Sequence, residues 1–569
     1  MAFAILILSM TAVILVVFGN QSIAIDTQIN AEAVSKAKAL LESTRALSRQ
    51  DFSQVVAVAA STDGIYQKSV DVTSLDANTK QVTSNVTWIT GGRNLAVHFT
   101  TLLTNPVVGS ACSVSVSGDW TAPEMVSYEL GKDLLVPGDS SSGYPITGVA
   151  AAGNKLFVTV NNIHGNNTAT LFGFDISNPS AKPTFLFGVD NAAGISEGLN
   201  AIAVNSHYAY VANAYTGSSA SCTVGSNCAQ LQIFDTDHIT AAPTNFKIPV
   251  TVSGNKLAYG TSIFYNNGYI YLGLAKASGS GNEFQVIDVG GGTGSPTNPI
   301  VKGAGYAVGN GVNAIYVKDN LAYIASPNTE NLTIVDVDPT SATFLQRVGG
   351  SGTLPGGANG ESVYVKDGIV YLGRTAGTNE FYMLSSPSGS ATKFKDIGSA
   401  SINGILIREA LAFLITSSQF QIWDTSGGIT QYATPLTLPG GSGTAIGCKG
   451  NYVYVGSLPS NDKGIVSIVG PKSVYTLSSG GDISVAQGAS GNTNITKTLT
   501  SGLALGTFTL SASGLPAGAS ASFTNGSCTP TCTANVLIGT NAHSTPKGTY
   551  IITVTGSGSV TTTFKLIVT

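Results

Sequence analysis

Charge is what this chain has least of. Only 10% of its 569 residues are Asp, Glu, Lys or Arg, and the formal net charge is −4. Nucleic-acid binding needs a concentrated Lys/Arg face, so that class is excluded, and so small a net charge steers no partner. Histidine is equally scarce. The 5 His, at 98, 164, 207, 238 and 543, fall in different segments and form no ligand or catalytic group. No nucleophile elbow, zinc-protease helix, phosphate loop or dinucleotide fingerprint stands in a fitting context. We therefore assign no catalytic residue, no metal and no cofactor. What is abundant is glycine, 67 residues, a composition that fits a β-rich, secreted, neutral-surfaced protein.

Between about Thr147 and Gly470 one supersecondary unit recurs seven times. Each copy opens with a polar, a small and a β-branched residue: Thr147-Gly148-Val149, Asn200-Ala201-Ile202, Thr261-Ser262-Ile263, Asn313-Ala314-Ile315, Glu361-Ser362-Val363, Asn403-Gly404-Ile405 and Thr444-Ala445-Ile446. The steps are 53, 61, 52, 48, 42 and 41 residues. A turn dipeptide follows, such as Asn267-Gly268 or Asp367-Gly368, and then a strand with an aromatic at its centre. A third strand is as regular, from Leu171–Asp175 to Ile465–Val469. A period of this length carrying three or four short strands predicts a β-propeller, here with seven blades. The small second residue is expected where innermost strands converge on a narrow channel. Segments such as Leu332-Thr333-Ile334-Val335-Asp336-Val337 resemble the LVIVD and YVTN-type propellers of bacterial surface proteins, over a little more than half the chain. Such a resemblance implies a fold and no reaction.

Six Cys form an even set. Cys222 with Cys228, and Cys528 with Cys532, lie in Ser/Thr/Gly/Asn-rich loops and read as loop-stapling disulfides of an oxidising compartment. Zinc is the competing reading, but the spacings are not C-x-x-C and no His adjoins either pair. Cys112 and Cys448 lack sequence neighbours. Because a strand before the first blade often completes the last, with Met125–Leu130 as its candidate here, a Cys112–Cys448 bond is expected.

At the N-terminus, residues 1–18 are apolar and uncharged, about 27 Å if helical, just enough to span hydrocarbon. The helical pattern continues to about Asp51 with Ile25, Ile29, Ala33, Ala37, Leu40 and Leu47 on one face, and half-buried strands follow at Ser69–Val72, Val82–Trp88 and Leu95–Leu103. The stretch Met1-Ala2-Phe3-Ala4-Ile5-Leu6-Ile7-Leu8-Ser9, with Lys80–Trp88, resembles a type IV minor pilin or pseudopilin. That family carries a Gly-aromatic cleavage site and a following glutamate, both missing here, so the expectation is a true start upstream of Met1, with an anchored relative that is not processed, or an ordinary membrane-anchor helix, as the alternatives. After Pro471, short strands at roughly ten-residue spacing predict an immunoglobulin-like sandwich, and the runs Leu510–Ser520 and Ser544–Tyr550 resemble modules appended to many secreted bacterial proteins.

The expected architecture is mainly β. It comprises a pilin-like helix at 1–52, a pilin-like sheet at 53–110, a seven-bladed propeller with its connector at 111–471, and an Ig-like sandwich at 472–569. The recurrent Asp175, Asp235, Asp288, Asp336 and Asp424 close outer strands and are expected to cap the following turns rather than bind calcium. The one polar set that symmetry brings together is Thr147, Asn200, Thr261, Asn313, Glu361, Asn403 and Thr444, expected to ring one channel mouth and bind a ligand; the competing reading makes them ordinary turn residues. Tyr144, Tyr215 and Tyr306 are candidates for stacking on a sugar. The expected function is an extracellular, surface-displayed adhesin or recognition subunit, with a pilus tip as one placement, binding a glycan or protein surface. Other pilin subunits or the membrane are expected to engage residues 1–50. An envelope-tethered glycan-active enzyme and a structural spacer are the alternatives.

Overall fold

The computed structural model describes the chain except residues 1–25, 46, 49–54, 77–78, 105–111, 113–114, 135–143, 162–168, 190–197, 206, 214–228, 240, 253–255, 279–280, 399, 460–462 and 505–506. The apolar segment at 1–18, Ile25, His164, Tyr215 and the Cys222/Cys228 pair lie outside the described residues. The chain forms two compact units, Met1–Gly109 and Ser110–Thr569.

In the first unit a helix, α1 (26–45 and 47–48), covers one face of an antiparallel meander of β1 (Val58–Asp63), β2 (Tyr66–Asp76), β3 (Thr79–Thr90) and β4 (Arg93–Thr104). Strand alternation puts Val82, Ser84, Val86 and Trp88 inward, as expected for the three apolar ones. At about 100° per residue, Ala33, Ala37, Leu41, Thr44 and Ser48 make one buried arc. Leu47, expected on that arc, falls at its rim and is exposed. Among the described residues no helix is long and apolar enough to cross a membrane.

The second unit is built on seven sheets, one per sequence repeat. Their innermost strands are Ile146–Ala152, Leu199–Val204, Gly260–Asn266, Ala314–Lys318, Gly360–Lys366, Ile402–Arg408 and Gly441–Lys449. Each packs on the next, and the seventh packs on the first, so the sheets close into a propeller-like ring; we number these blades 1 to 7 in chain order. The turns form where expected, with Asn267, Asp319, Asn320 and Asp367 at positive φ. The central aromatics of the second strands, Phe157, Tyr210, Tyr271, Tyr323, Tyr371, Phe413 and Tyr454, are all buried. They pack in apolar clusters that straddle neighbouring blades, which explains their recurrence.

Fourth strands, weak in sequence, include Thr184–Val189, Thr244–Phe246, Arg347–Gly350 and Ala391–Lys395. In blade 7 the fourth strand is supplied from before blade 1: β5 (Glu124–Glu129) pairs antiparallel with Ile465–Gly470. The Cys112–Cys448 disulfide ties the same leading segment to the innermost strand of blade 7, and Cys528–Cys532 closes a loop farther on.

Beyond blade 7 two sheets pack face to face over a core that includes Ile495, Val536, Ile538, Ile552, Val554 and Leu566. One is ordered Val474–Ser479, Ser490–Ser501, Cys532–Gly539, Ser520–Thr524. The other pairs Ile483–Val485 in parallel with Thr561–Val568. The joint with the ring is specific. Leu503 is buried in the cluster shared by blades 1 and 7, and the Tyr452 hydroxyl donates to the Gly502 carbonyl at 2.8 Å.

Candidate functional site

Each opening residue occupies a distinctive backbone position. In blades 1, 2, 3, 5, 6 and 7 the pairing of first and second strands skips one residue, as where Gly260 faces Leu274 and Ser262 faces Gly273. The residue skipped is Thr147, Asn200, Thr261, Glu361, Asn403 or Thr444. Such a bulge leaves its extra residue unpaired and re-aims the side chain.

The side chains are aimed around the ring. Thr147 Oγ1 donates to the Leu199 carbonyl at 2.5 Å, Asn200 Nδ2 to Gly260 at 2.7 Å, and Thr261 Oγ1 to Val312 at 2.5 Å. Asn313 Nδ2 donates to Gly360 and Asn403 Nδ2 to Gly443, each at 2.7 Å. In every case the acceptor is the residue just before the next blade's opening residue. Glu361 has no proton to give when ionised, and its neighbour Ser362 makes the equivalent bond, Oγ to the Ile402 carbonyl at 2.7 Å. Six of the seven seams are thus clasped. At the seventh, between blades 7 and 1, Thr444 Oγ1 is buried without a partner.

The clasps decide what the mouth offers. An amide whose N–H is committed to a carbonyl must present its oxygen on the other side, because a carbonyl facing a carbonyl would repel. Among the described residues no donor reaches Oδ1 of Asn200, Asn313 or Asn403, and none of these oxygens is sealed from solvent. Glu361 is half-buried between Asn313 and Asn403, accepting from Asn313 Nδ2 at 3.1 Å, and burial pushes its carboxyl above the ordinary range. The ring therefore spends the donors of Thr147, Asn200, Thr261, Asn313 and Asn403 on the next blade, leaves Glu361 as an acceptor, and buries Thr444 Oγ1.

Other expectations are corrected. A Cβ added at Gly148 would meet Ile202 Cγ2 at 2.9 Å, and one at Gly404 would meet Ile446 Cγ2 at 2.9 Å. At these two positions the small residue makes room for the blade's own second strand, Thr159 or Ile415, and for the next blade's β-branched residue. Tyr144 is buried edge-on to Phe172, 5.6 Å between centroids, and offers no face to a sugar. Tyr306 is held by backbone pairing with Phe284, outside the innermost ring. The aromatics that do accompany the channel went unrecognised: Phe264, Tyr316 and Tyr364, at one position of three successive innermost strands, contact one another at 4.9 and 4.6 Å. Their shared offset, three residues after each opening residue, was the available signal.

The recurrent Asp residues cap turns. Asp175 accepts from Ser177 N, Asp235 from Asp237 N and His238 N, Asp336 from Asp338 N, and Asp424 from Ser426 N. Asp288 is caged by the backbone N–H groups of Gly290, Gly291, Gly292 and Gly294. Burial pushes that carboxyl up, but the N–H groups outweigh it and hold it below the usual range. A separate cleft of about 540 Å³ lies against the outer strands of blades 2 and 3, lined by residues such as Val250, Thr251, Asn282 and Gln285. None of the opening residues lines it.

Comparison with known proteins adds to the fold and leaves the site open. Residues 310–349, within blade 4, match the LVIVD repeat. No curated protein matches the chain. Among solved structures, the computationally designed Ika8 protein is 14% identical with a TM-score of 0.38, covering 57% of this chain and 97% of that one. A chain of the Mitotic Checkpoint Complex is 11% identical with a TM-score of 0.40, covering 61% and 94%. The AfRom2 CNH domain is 9% identical with a TM-score of 0.36, covering 60% and 98%. Likenesses this distant carry no functional argument.

Proposed function

We propose that this chain is an extracellular recognition or adhesion subunit displayed at a cell surface, with the seven-bladed ring as its binding head. What supports the reading is that the opening residues hold equivalent positions on successive innermost strands of a ring whose blades are clasped to one another, six of them through these residues or the serine beside one. Rigid frames that hold polar groups convergent in a concavity are the usual places of binding. One carboxylate stands at that mouth, whereas glycoside hydrolysis uses a pair, which favours binding over hydrolysis. Two disulfides among the described residues fit an oxidising compartment. In this reading the helix-on-sheet unit is pilin-like, residues 1–50 join it to other pilin subunits or the membrane, and the C-terminal sandwich is an immunoglobulin-like spacer.

The test is binding of the full chain to whole cells and to protein and glycan arrays, with Asn313→Ala/Glu361→Ala as the probe of the mouth. Binding should be lost. The melting temperature should also fall by a few degrees, because Asn313 clasps blade 5. Binding retained in the double variant would move the site to the outer loops or the C-terminal sandwich.

A further inference from the structure

We infer that the ring mouth seats the side chain of a lysine from a protein partner, its ammonium held among Asn313, Glu361 and Asn403. The inference rests on the recognition role proposed above and names the chemistry of that same mouth.

The argument is one of matching donors to acceptors. On blades 4, 5 and 6 the structure sets side by side an amide oxygen, a carboxylate and a second amide oxygen. Asn313 Nδ2 is spent on the Gly360 carbonyl and on Glu361 Oε2, and Asn403 Nδ2 on the Gly443 carbonyl and Ser442 Oγ. What remains free is Asn313 Oδ1, Glu361 Oε1 and Asn403 Oδ1, with no donor among them. A neutral hydroxyl ligand, which brings donors and acceptors alike, finds nothing at these three atoms for its acceptors. A primary ammonium brings three N–H donors, no acceptor and one positive charge, so it matches the set in number and in charge.

Two further observations favour a lysine arm over a compact amine. Glu361 is half-buried between its neighbours, so a ligand must reach in, and lysine carries its charge on a slim four-carbon stem. Tyr316 and Tyr364, three residues along the chain from Asn313 and Glu361, contact each other at 4.6 Å with Phe264 of blade 3 beside them, an apolar and quadrupolar row suited to that stem and its cation. Among the described residues no cation pairs with Glu361. Arg374, on the strand paired with Gly360, directs its guanidinium to the carbonyls of Asn379 and Ala358 and to the Tyr382 hydroxyl. Glu380 is spent on the N–H groups of Gly377 and Ile397. Lys366, at the far end of the Glu361 strand, pairs with Asp367; Arg408, at the far end of the blade 6 strand, directs its guanidinium to the carbonyls of Ser115 and Asn451; and the opening residues on either side, Asn313 of blade 4 and Asn403 of blade 6, are neutral. The burial that raises the Glu361 carboxyl is thus uncompensated until a cation arrives.

The experiment titrates Nα-acetyl-lysine methylamide against the full chain by calorimetry and saturation-transfer NMR, beside its Nε-acetylated form and glucosamine. The lysine derivative should bind and the Nε-acetylated form should not. Glu361→Gln, which keeps the shape and removes the charge, should weaken binding by about tenfold or more with the melting temperature held. Affinity should also fall as pH drops through the raised Glu361 value, where the carboxyl takes a proton while the ammonium stays charged. No binding of the lysine derivative, equal binding by Glu361→Gln, or equal binding of glucosamine would overturn the inference. If the lysine derivative fails while Asn313→Ala/Glu361→Ala still abolishes binding to cells or arrays, the recognition role stands and only the ammonium is wrong.

Discussion

Six seams of the ring are alike and the seventh is not. Between blades adjacent in sequence, an opening side chain or the serine beside it donates across the seam to the next blade's backbone. Between blades 7 and 1, which meet only when the chain's ends are brought together, that donor is buried and unpaired. The seam is held by other means. β5 adds the fourth strand of blade 7, Cys112–Cys448 ties the leading segment to that blade, and Leu503 covers the apolar cluster the two blades share. Tyr454 of blade 7 donates to the Pro179 carbonyl of blade 1 at 3.2 Å. The difference teaches that local clasps suffice where short connections already bring blades together. Closing the circle takes covalent and apolar ties from distant parts of the chain, because the loop closed there is long.

The sharpest way to break the seventh seam is to replace Cys112 and Cys448 together by Ser. With a sequence separation of 336, the chain-entropy model assigns the bond about 5–6 kcal/mol, which native strain reduces. Chemical denaturation should show a large loss. Hydrogen exchange should rise first in Glu124–Glu129 and Gly441–Lys449, and a uniform rise around all seven blades would contradict a special seam. A smaller effect is expected from crowding that seam. A Cβ at Gly456 would meet Ile146 Cγ2 at 2.6 Å, so Gly456→Ala should cost about 1–3 kcal/mol, whereas Gly427→Ala, with nothing near, should cost almost none. The smallest change sharpens the comparison most. Thr147→Val removes a clasp and strands the Leu199 carbonyl, for a loss of about 1 kcal/mol. Thr444→Val removes a buried hydroxyl that bonds nothing and should leave the melting temperature unchanged or raise it. Equal losses from the two would remove the distinction between the seams.

Much of the ring was legible in the sequence because its second and third strands, buried on both faces, repeat as short continuous apolar runs and its turns carry Gly, Asn and Asp. The third strands Leu231–Asp235, Phe284–Asp288 and Leu332–Asp336 stand where the repeats put them. The fourth strands were harder to read. Strands such as Ala391–Lys395 lie at the outer edge with one side in solvent and little apolar signal. On α1, Leu47 was assigned to the buried face by its spacing alone, but Thr44 and Ser48 take that face, since burial there is fixed by where the sheet lies.

The mouth shows where the two kinds of information part. Sequence alone determined that seven polar residues recur at equivalent positions and that the repeats form a ring, because strand periodicity and turn chemistry are local and repeat with the chain. It determined the Cys112–Cys448 pairing only through that ring. Tertiary structure decided which atoms of those residues remain free. In six blades a one-residue bulge re-aims the opening side chain, in five of the seven blades that side chain donates to the next blade's carbonyl, and whether such a carbonyl lies within reach depends on the packing of two blades. That is why Asn200, Asn313 and Asn403 have their amide N–H groups spent and their oxygens left over, Thr444 Oγ1 is buried unpaired, and Glu361, with no donor when ionised, accepts from Asn313 instead.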